Sequence, residues 1–572
     1  RPWLVPLSAT EASPFGPSSQ GWRISEVQDA KAKANAETSN GEADETVICH
    51  VAADGFEERM VPFPVPSGSY RDLAVVKDGV VWIEVADRGG ELGATRAGVT
   101  GEAPSDVLWH YNLSARHLDK LCERVDTFSV SGDGERLVVR HRDDTIVVPS
   151  SHKVDDDDPA YIRVDLTRLR RTVNPRAEWR QMFDENGRLM ASHYWREDMN
   201  GVDWDSVLNR YRPLVDLCHV VDDLHDILWE TVAELNTSHS YVSASGAAGD
   251  SDMRAGLLGA DVSSGNDGAK VVRVIPGESS DPRAWSPLRA AGVAVTEGDV
   301  IVAVDGRKVG ADGNLGELLE GSAGRVVELT VRRGENERQV AVVPMADEAP
   351  LRYHDWVASR RRYVEEHSGG RLGYLHVPDM VSDGWAELHR QIGEATRHEG
   401  VIADVRFNHG GHTSQLVVER LARRVVGWDY SRWYATADTY PQNAVRGPIV
   451  MVTNQWAGSD GDIVAAATQA MGYAKVIGER SWGGVVGIDG RFDLVDGTSV
   501  TQPRYAGWYG SYGWGVENHG VDPDIVVTVS PEDWEADCDV QLDAAIAECL
   551  RQLDDKPAAT APELPGPAFD RC

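Results

Sequence analysis

The hydrophobic pattern of this chain changes three times along its length, and each change predicts a different kind of folding unit. In residues 1–150, short runs of alternating apolar and polar residues, such as Leu73–Val76, Val80–Val85 and Val107–Tyr111, are separated by turn sequences. This alternation is typical of β-strands with one buried face. Strands spaced by about ten residues suit propeller blades or a sandwich. The stretch Asp29–Asp44, rich in Ala, Lys, Asn and Glu, is predicted to be a disordered insertion.

Helical periodicity replaces the strand pattern after the acidic run Asp155–Asp158, which has the composition of a linker. In residues 155–245, apolar side chains recur at three- and four-residue steps, the repeat of one face of an α-helix. Leu224, Leu228 and Val232 are an example. The sequence therefore predicts a helical domain here.

Residues 250–345 carry a third pattern. A predicted strand at Ala269–Ile275 is followed by Ala-Gly-Val at 291–293 and then by the run Gly298–Gly306, which has the sequence Gly-Asp-Val-Ile-Val-Ala-Val-Asp-Gly. This series resembles a PDZ domain. In that fold the loop Gly256–Gly259 would offer backbone N–H groups to the carboxylate of a bound peptide. The alternative is that the module only fixes the geometry between its neighbouring domains.

Strands and helices alternate in residues 350–552, which favours parallel crossover connections. An α/β core domain with a crossover parallel sheet is predicted for this region, and a disordered tail is predicted for residues 553–572. The predicted strands are Arg371–Val377, Val401–Phe407, Pro448–Thr453 and Ala474–Ile477.

Two strand-to-helix turns of the α/β region have unusual sequences. The first contains the pair Gly410-Gly411, which lets the backbone turn sharply and exposes its N–H groups. The second places Ser459 at the start of the helix that follows the strand Pro448–Thr453. Active sites of open α/β sheets lie at this carboxyl edge, where helix amides favour negative charge on a substrate oxygen. The alternative is that Ser459 is only a helix N-cap, a common role of serine.

A serine nucleophile needs a base that a third group holds in one tautomer. His239 follows the predicted helical domain, in the sequence Thr-Ser-His-Ser. Four features follow one another along the chain: this Thr-Ser-His, the PDZ-like pattern, the Asp-x-Arg-x-Asn-x-Gly-Gly that begins at Asp404 and the Gly-Ser-Asp-Gly-Asp that begins at Gly458. Their order resembles that of the tricorn proteases. Similar motifs occur in C-terminal processing peptidases.

The resemblance implies the carboxy-terminal half of a tricorn protease, with residues 1–150 as the end of a β-propeller. The predicted fold is therefore a multidomain α+β protein with a partial β-propeller, a helical domain, a PDZ-like domain and an α/β core domain. The resemblance also implies a catalytic tetrad. In it Ser459 is the nucleophile and His239 is its general base, while Ser238 links the imidazole to Glu517.

An oxyanion hole and a specificity residue are implied by the same resemblance. The backbone N–H groups of Asp460 and Gly411 would bind the oxyanion, with Gly410 as the alternative donor. The family places an acidic residue in the pocket for the side chain before the cleaved bond, which favours basic residues there. Asp429 lies at a fitting distance along the chain, between Gly411 and Ser459. A surface carboxylate is the other interpretation of Asp429.

Charge and hydropathy exclude several classes of partner. The net charge of −34 argues against DNA, RNA and anionic membranes, all of which select for basic surfaces. The longest apolar runs, such as Pro448–Thr453, fall far short of the ~20 residues that a membrane helix needs. The sequence lacks the positively charged segment followed by an apolar stretch that marks a secretory signal peptide. A cytoplasmic location is therefore predicted.

No cofactor or metal is predicted. The six cysteines are scattered without CxxC spacing, which is typical of thiols in a reducing compartment. His409 with His412, or His219 with Asp222 and His225, could ligate zinc, but neither set has HExxH spacing. No Walker or dinucleotide-binding motif is present in the sequence.

The sequence therefore predicts a serine peptidase that acts on short peptides of the kind that proteasomes release. The resemblance further implies a homo-oligomer, hexameric in the family. One alternative is a non-catalytic peptide-binding scaffold built on the PDZ and propeller modules. Another is a processing peptidase outside the cytosol, against which the lack of a catalytic lysine near Ser459 weighs.

Overall fold

The computed structural model describes residues 1–7, 15, 51–54, 56–57, 59–86, 105–142, 144–170, 172–244, 253–310, 314–489 and 492–564. The insertion predicted at Asp29–Asp44 lies outside them. The chain divides into two compact units. The N-terminal unit consists of Arg1–Glu91 and Thr100–Thr172, and the C-terminal unit consists of Leu92–Val99 and Val173–Cys572. Among the described residues, no helix has both the length and the apolar composition that crossing a membrane requires.

The N-terminal unit is built from antiparallel β-strands. Its described residues form two four-stranded sheets, a size typical of propeller blades. They do not form a closed propeller, so the propeller stays a prediction. The first sheet has the order Ser69–Val76, Gly79–Val85, Val107–Asn112, His117–Glu123; the second has the order Ile162–Arg163, Asp144–Pro149, Arg136–His141, Thr127–Val130; and Trp3–Leu4 pairs with Val61–Pro62.

Three α-helices begin the C-terminal unit, where the three- and four-residue pattern predicts them. The first starts with a proline behind Asn174, whose side chain accepts a hydrogen bond from the Ala177 amide at 3.3 Å. Their apolar faces pack together, with Phe183, Leu224 and Leu228 fully buried. The helices are Pro175–His193, Trp204–Val215 and Val221–Ala233.

An antiparallel sheet follows in the region predicted to be PDZ-like. Its core is formed by alternating apolar residues of the strands, such as Val271, Ile301 and Leu329. A helical turn, Leu315–Leu318, closes one side of this core. Its strands are, in spatial order, Ala260–Gly265, Gly268–Val274, Val300–Val304, Val327–Arg333 and Asn336–Val342, with Arg307–Lys308 paired to Val300–Val304.

A parallel sheet with helices around it forms the last part of the unit. The strand at its centre, Ile449–Thr453, is buried at every position, as its continuous apolar sequence predicts. The strands of the sheet, in spatial order, are Leu372–His376, Gly400–Asp404, Ile449–Thr453, Ala474–Gly478 and Ile525–Val526. The helices are Ala349–His367, Ser382–Ala395, Ser414–Leu421, Asp460–Met471, Pro531–Glu535 and Val540–Asp555.

Short antiparallel pairs lie beside the parallel sheet. One of them fixes the segment that leaves the helical region: Val242–Ser243 pairs with Ser499–Val500. Next to this pair, the Tyr241 amide donates to Thr501 Oγ1 at 2.7 Å, and that hydroxyl donates to the carbonyl of His239. The other pairs are Gly427–Asp429 with Asp438–Tyr440 and Gly487–Asp489 with Gln502–Tyr505.

The last helix continues into the region predicted to be a disordered tail. It ends at Asp555, beyond the predicted boundary at residue 553. The chain that follows keeps contact with the core, since the Ala559 amide donates to the Arg446 carbonyl at 2.8 Å. The tail boundary was therefore placed too early, because the apolar positions Cys549 and Leu553 pack on the sheet and extend the helix.

Candidate active site

Ser459 stands between the strand Ile449–Thr453 and the helix Asp460–Met471, as predicted. Its backbone has φ 59° and ψ −120°, a conformation that L-residues rarely adopt and that costs about 1–3 kcal/mol. The turn before it is fixed by Asn454, whose side-chain oxygen accepts hydrogen bonds from the amides of Phe407 at 3.0 Å and Trp456 at 3.2 Å. A serine held in a strained strand-to-helix turn presents its hydroxyl at the sheet edge.

The glycine pair lies directly against this turn. The strands Gly400–Asp404 and Ile449–Thr453 are parallel neighbours, so the loops that follow them meet at one edge. A Cβ atom added to Gly410 would lie 2.5 Å from Ser459 Cβ and 3.1 Å from Ser459 Oγ. Gly410 also has a φ of +76°, which favours glycine. No other residue fits this position without displacing the serine.

The amides of the two turns differ in their hydrogen bonds. The Gly410 amide donates to Asn408 Oδ1 at 2.9 Å and is therefore occupied. Within the described parts of the chain, the amides of Gly411 and Asp460 have no acceptor. Both residues line the cavity that contains Ser459, whereas Gly410 does not. This arrangement favours Gly411 over Gly410 as the second oxyanion donor.

A chain of hydrogen bonds connects His239 to a carboxylate. Ser238 Oγ lies 3.2 Å from His239 Nδ1 and donates to Glu517 Oε2 at 3.0 Å. Glu517 also accepts hydrogen bonds from the amides of Ser238 at 2.7 Å, Val485 at 2.8 Å and Val486 at 3.0 Å. Because four donors hold this carboxylate, it fixes the Ser238 hydroxyl, which in turn orients the imidazole.

The imidazole of His239 is partly buried and contacts two aromatic rings. Trp482 and Tyr241 both meet it edge to face, with ring centroids at 5.5 Å and 5.7 Å. Burial lowers the pKa of His239 below its ordinary value of 6.5, and the negative charge of Glu517 opposes that shift. The imidazole is therefore neutral at pH 7, the form that can take a proton.

His239 and Ser459 line the same cavity, which has a volume of about 720 Å³. The structure thus brings the segment after the helical region to the carboxyl edge of the parallel sheet. No hydrogen bond joins the imidazole to the Ser459 hydroxyl in the described structure. Catalytic hydrogen bonds are often long before substrate binds. We name this space the catalytic cavity.

Buried carboxylates support the helix that follows Ser459, and no sequence pattern indicates their roles. Asp460 accepts hydrogen bonds from the amide of Ser414 at 2.9 Å and from its hydroxyl at 2.6 Å. Asp462 accepts from Ser481 Oγ at 2.5 Å and from the Gly483 amide at 2.8 Å. Burial raises the pKa of Asp462 to about 6. These contacts anchor the nucleophile turn to the loops on both sides.

Asp429 lies away from these residues. It is exposed at the end of the short strand Gly427–Asp429, opposite Asp438 of the paired strand. It is not part of the lining of the catalytic cavity. Within one chain, the structure therefore does not place Asp429 in the wall of the cavity that contains Ser459.

The histidines that suggested a metal site lie in two different regions of the unit. His409 and His412 both line the catalytic cavity, while His225 lies 3.2 Å from Thr498 Oγ1 through its Nε2. Across the described ranges, no group of three or more His, Cys, Asp or Glu side chains is arranged to hold a metal ion.

Comparison with known proteins identifies the family. Residues 371–527 match Peptidase family S41, residues 256–347 match the tricorn protease PDZ domain and residues 175–233 match the tricorn protease C1 domain. Tricorn protease homolog 1 of Streptomyces coelicolor is 53% identical over 570 residues, which cover 99% of this chain and 52% of that protein. The chain belongs to the tricorn protease family. The match over residues 256–347 confirms the PDZ-like prediction.

Other tricorn proteases are similar over the same region. The tricorn protease of Thermoplasma acidophilum is 34% identical over 497 residues, which cover 87% of this chain and 46% of that protein. A crystal structure of the tricorn protease superposes with a TM-score of 0.80 at 31% identity, covering 96% of this chain and 51% of the other. The chain spans about half the length of the tricorn proteases that it matches.

Proposed function

We propose that this chain is a serine peptidase that cleaves peptides through an acyl-enzyme at Ser459. The observation that supports it is the hydrogen-bonded series from Glu517 through Ser238 to His239. This series ends at the cavity in which Ser459 stands beside two unoccupied amides. A nucleophile, an oriented base and oxyanion donors are the parts that acyl transfer requires.

The reaction would proceed in two steps. In the first, His239 takes the proton of Ser459 as Oγ attacks the peptide carbonyl, and the amides of Gly411 and Asp460 bind the oxyanion. The imidazolium then gives this proton to the leaving amine, the C–N bond breaks and an ester to Ser459 remains. In the second, His239 activates a water molecule that hydrolyses the ester and restores the serine. Glu517, through Ser238, stabilises the imidazolium in both steps.

Covalent labelling tests the nucleophile. A serine-directed fluorophosphonate is expected to label the wild-type chain, and Ser459→Ala is expected to abolish the label while the circular dichroism spectrum is unchanged. His239→Ala should reduce peptide hydrolysis by about 10⁶-fold, because the base is lost. His412→Ala, which removes an imidazole of the same cavity, should cost less than tenfold. Persistent labelling of Ser459→Ala would refute the proposal.

The contacts of the PDZ-like module argue against the alternative of a non-catalytic peptide-binding scaffold. Three of the four amides of its glycine loop already have acceptors: those of Gly256 and Leu257 donate to backbone carbonyls at 2.8 Å each. The Gly259 amide donates to a carboxylate oxygen of Glu348 at 3.2 Å. We therefore propose that the module fixes the geometry of the core domain, to which Arg273 and Asp355 link it by a bidentate ion pair at 2.5 and 2.7 Å.

Peptide substrates are proposed because the relatives are named proteases. Four points stay predictions: that the substrates are short peptides of the kind that proteasomes release, that Asp429 has a specificity role, that the chain assembles into a homo-oligomer and that its location is cytoplasmic. Turnover of fluorogenic peptides of different lengths by the purified chain tests the substrate class directly.

A further inference from the structure

A second cavity, of about 540 Å³, is lined in part by the turn that precedes Ser459. Gln455 and Trp456 line both this cavity and the catalytic cavity. Trp456 precedes the serine by three residues, so the two residues lie within about 11 Å of each other. A peptide held at Ser459 is therefore long enough to place a neighbouring side chain in the second cavity.

Aromatic rings form much of the wall of this cavity, which we name the tryptophan cavity. It is lined by Trp356, Phe407, Trp456 and Trp534. The Trp356 and Phe407 rings meet edge to face with centroids 6.3 Å apart. Trp534 is 78% exposed and Trp456 is 64% exposed, so their faces are available to a ligand. Grouped exposed aromatic side chains mark binding sites, and their faces attract cations.

Two arginines also line the tryptophan cavity, but their charges are neutralised within the protein. Arg406 is buried and donates to Asp404 at 2.8 Å and to Asp539 at 2.9 Å. Arg360 donates to the same Asp539 at 3.2 Å. The guanidinium groups therefore act as structural partners of buried carboxylates and leave little positive potential for an anionic ligand.

Two carboxylates at the rim, Glu479 and Asp533, have no such compensation among the described residues. Glu479 lines the cavity and, among the described residues, accepts a hydrogen bond from the Gln541 amide at 3.4 Å without an ion-pair partner. Asp533 accepts from the Ser530 amide at 2.9 Å, which leaves its charge in place. Asp537 is almost fully exposed and lies 3.8 Å from Arg360. The cavity thus combines aromatic faces with excess negative charge.

We propose that the tryptophan cavity binds the guanidinium or ammonium group of a basic residue in the peptide that is cleaved at Ser459. This inference rests on the proposed peptidase function for the origin of the ligand. The cation would lie over the faces of Trp456 and Trp534, and Glu479 and Asp533 would supply the opposite charge. Such a subsite selects substrates by a residue that lies outside the scissile pair.

Cys538 permits a binding test that does not require catalysis. It lines the tryptophan cavity and is exposed, so an alkylating reagent can reach its thiol. N-acetyl-arginine methylamide should slow the alkylation of Cys538 by iodoacetamide, halving the rate when its concentration equals its Kd. The norleucine analogue, which has a similar length but no charge, should not. Peptide mass spectrometry assigns the alkylation to Cys538.

Two exposed tryptophans supply a matched pair of variants. Trp534→Ala should weaken the protection of Cys538 about two- to fivefold, the value of one exposed cation–π contact. Trp433 is 77% exposed but lines neither cavity, so Trp433→Ala should leave the protection unchanged. Equal protection by the arginine and norleucine probes, or none by either, would overturn the inference.

Hydrolysis separates this inference from the proposed function. For peptides that differ by arginine or norleucine at one site outside the scissile pair, the ratio of kcat/KM should favour arginine and fall toward one in Trp534→Ala. Protection of Cys538 without labelling of Ser459 would support the cation site and refute the peptidase. Labelling of Ser459 without protection of Cys538 would support the peptidase and refute the cation site.

Discussion

Replacing Gly410 by alanine tests whether the glycine turn fixes the position of the nucleophile. The added Cβ would stand 2.5 Å from Ser459 Cβ, whereas two carbon atoms pack at about 3.5–4.0 Å, so the serine or the turn must move by about 1 Å. A displacement of this size costs about 10²-fold in rate. The φ of +76° adds a loss of about 1–2 kcal/mol in stability.

Gly472→Ala is the matched control, because it isolates the backbone cost. Gly472 ends the helix that Ser459 begins, has a φ of +63° and has no heavy atom within 4 Å of an added Cβ. Both variants should lose stability in urea, but Gly472→Ala should keep kcat/KM within twofold of wild type. If Gly410→Ala keeps kcat/KM within threefold, or if Gly472→Ala loses as much as Gly410→Ala, crowding at Ser459 does not control the reaction.

Three further predictions concern charged groups of the C-terminal unit. Glu517→Gln should lower kcat by about 10²–10⁴-fold in steady-state assays, because its NH₂ group would face donors that now point at the carboxylate; an unchanged kcat would contradict its role. The acid limb of the pH profile of kcat/KM should have its midpoint below pH 6.5, since burial lowers the pKa of His239 and the neutral imidazole is the base. In Glu517→Gln this midpoint should shift to still lower pH, because the negative charge that raises the pKa of His239 is gone. A wild-type midpoint above pH 6.5 would count against His239 as the base. Arg273→Ala breaks a partly exposed pair with Asp355 and should reduce stability by about 1 kcal/mol or less in urea unfolding, with the PDZ-like region becoming more sensitive to protease; a loss well above this would show that the pair is better shielded from water than its exposure indicates.

The placement of the nucleophile was predictable because local sequence determines it. A continuous apolar run buries the strand Ile449–Thr453, and the parallel sheet then places its following loop beside the one after Gly400–Asp404. The meeting of Ser459 with Gly410 follows from that topology. The strand His117–Glu123 was missed, because its charged residues interrupt the apolar alternation that identifies a strand.

Other features depend on contacts that linear sequence does not encode. Asn408 donates to the Val377 carbonyl and Asn454 accepts from the Phe407 amide, so each fixes its turn through a backbone group of a neighbouring loop. The buried role of Asp462 depends on Ser481 and on the glycine amides beyond it. Asp429 was chosen by its distance along the chain, but the direction of its hairpin decides where it lies. Residue type and spacing predict the elements, while the folded arrangement of loops determines their partners.

The members of the proposed tetrad are far apart in the order of synthesis. Ser238 and its partner Glu517 are separated by 279 residues. At translation rates of about 5–20 residues per second, roughly 15–60 s pass between the appearance of the base and that of its carboxylate. A nascent chain that already carries His239 and Ser459 therefore lacks the carboxylate that holds Ser238, and its hydrolytic activity is expected to stay low until Glu517 has emerged.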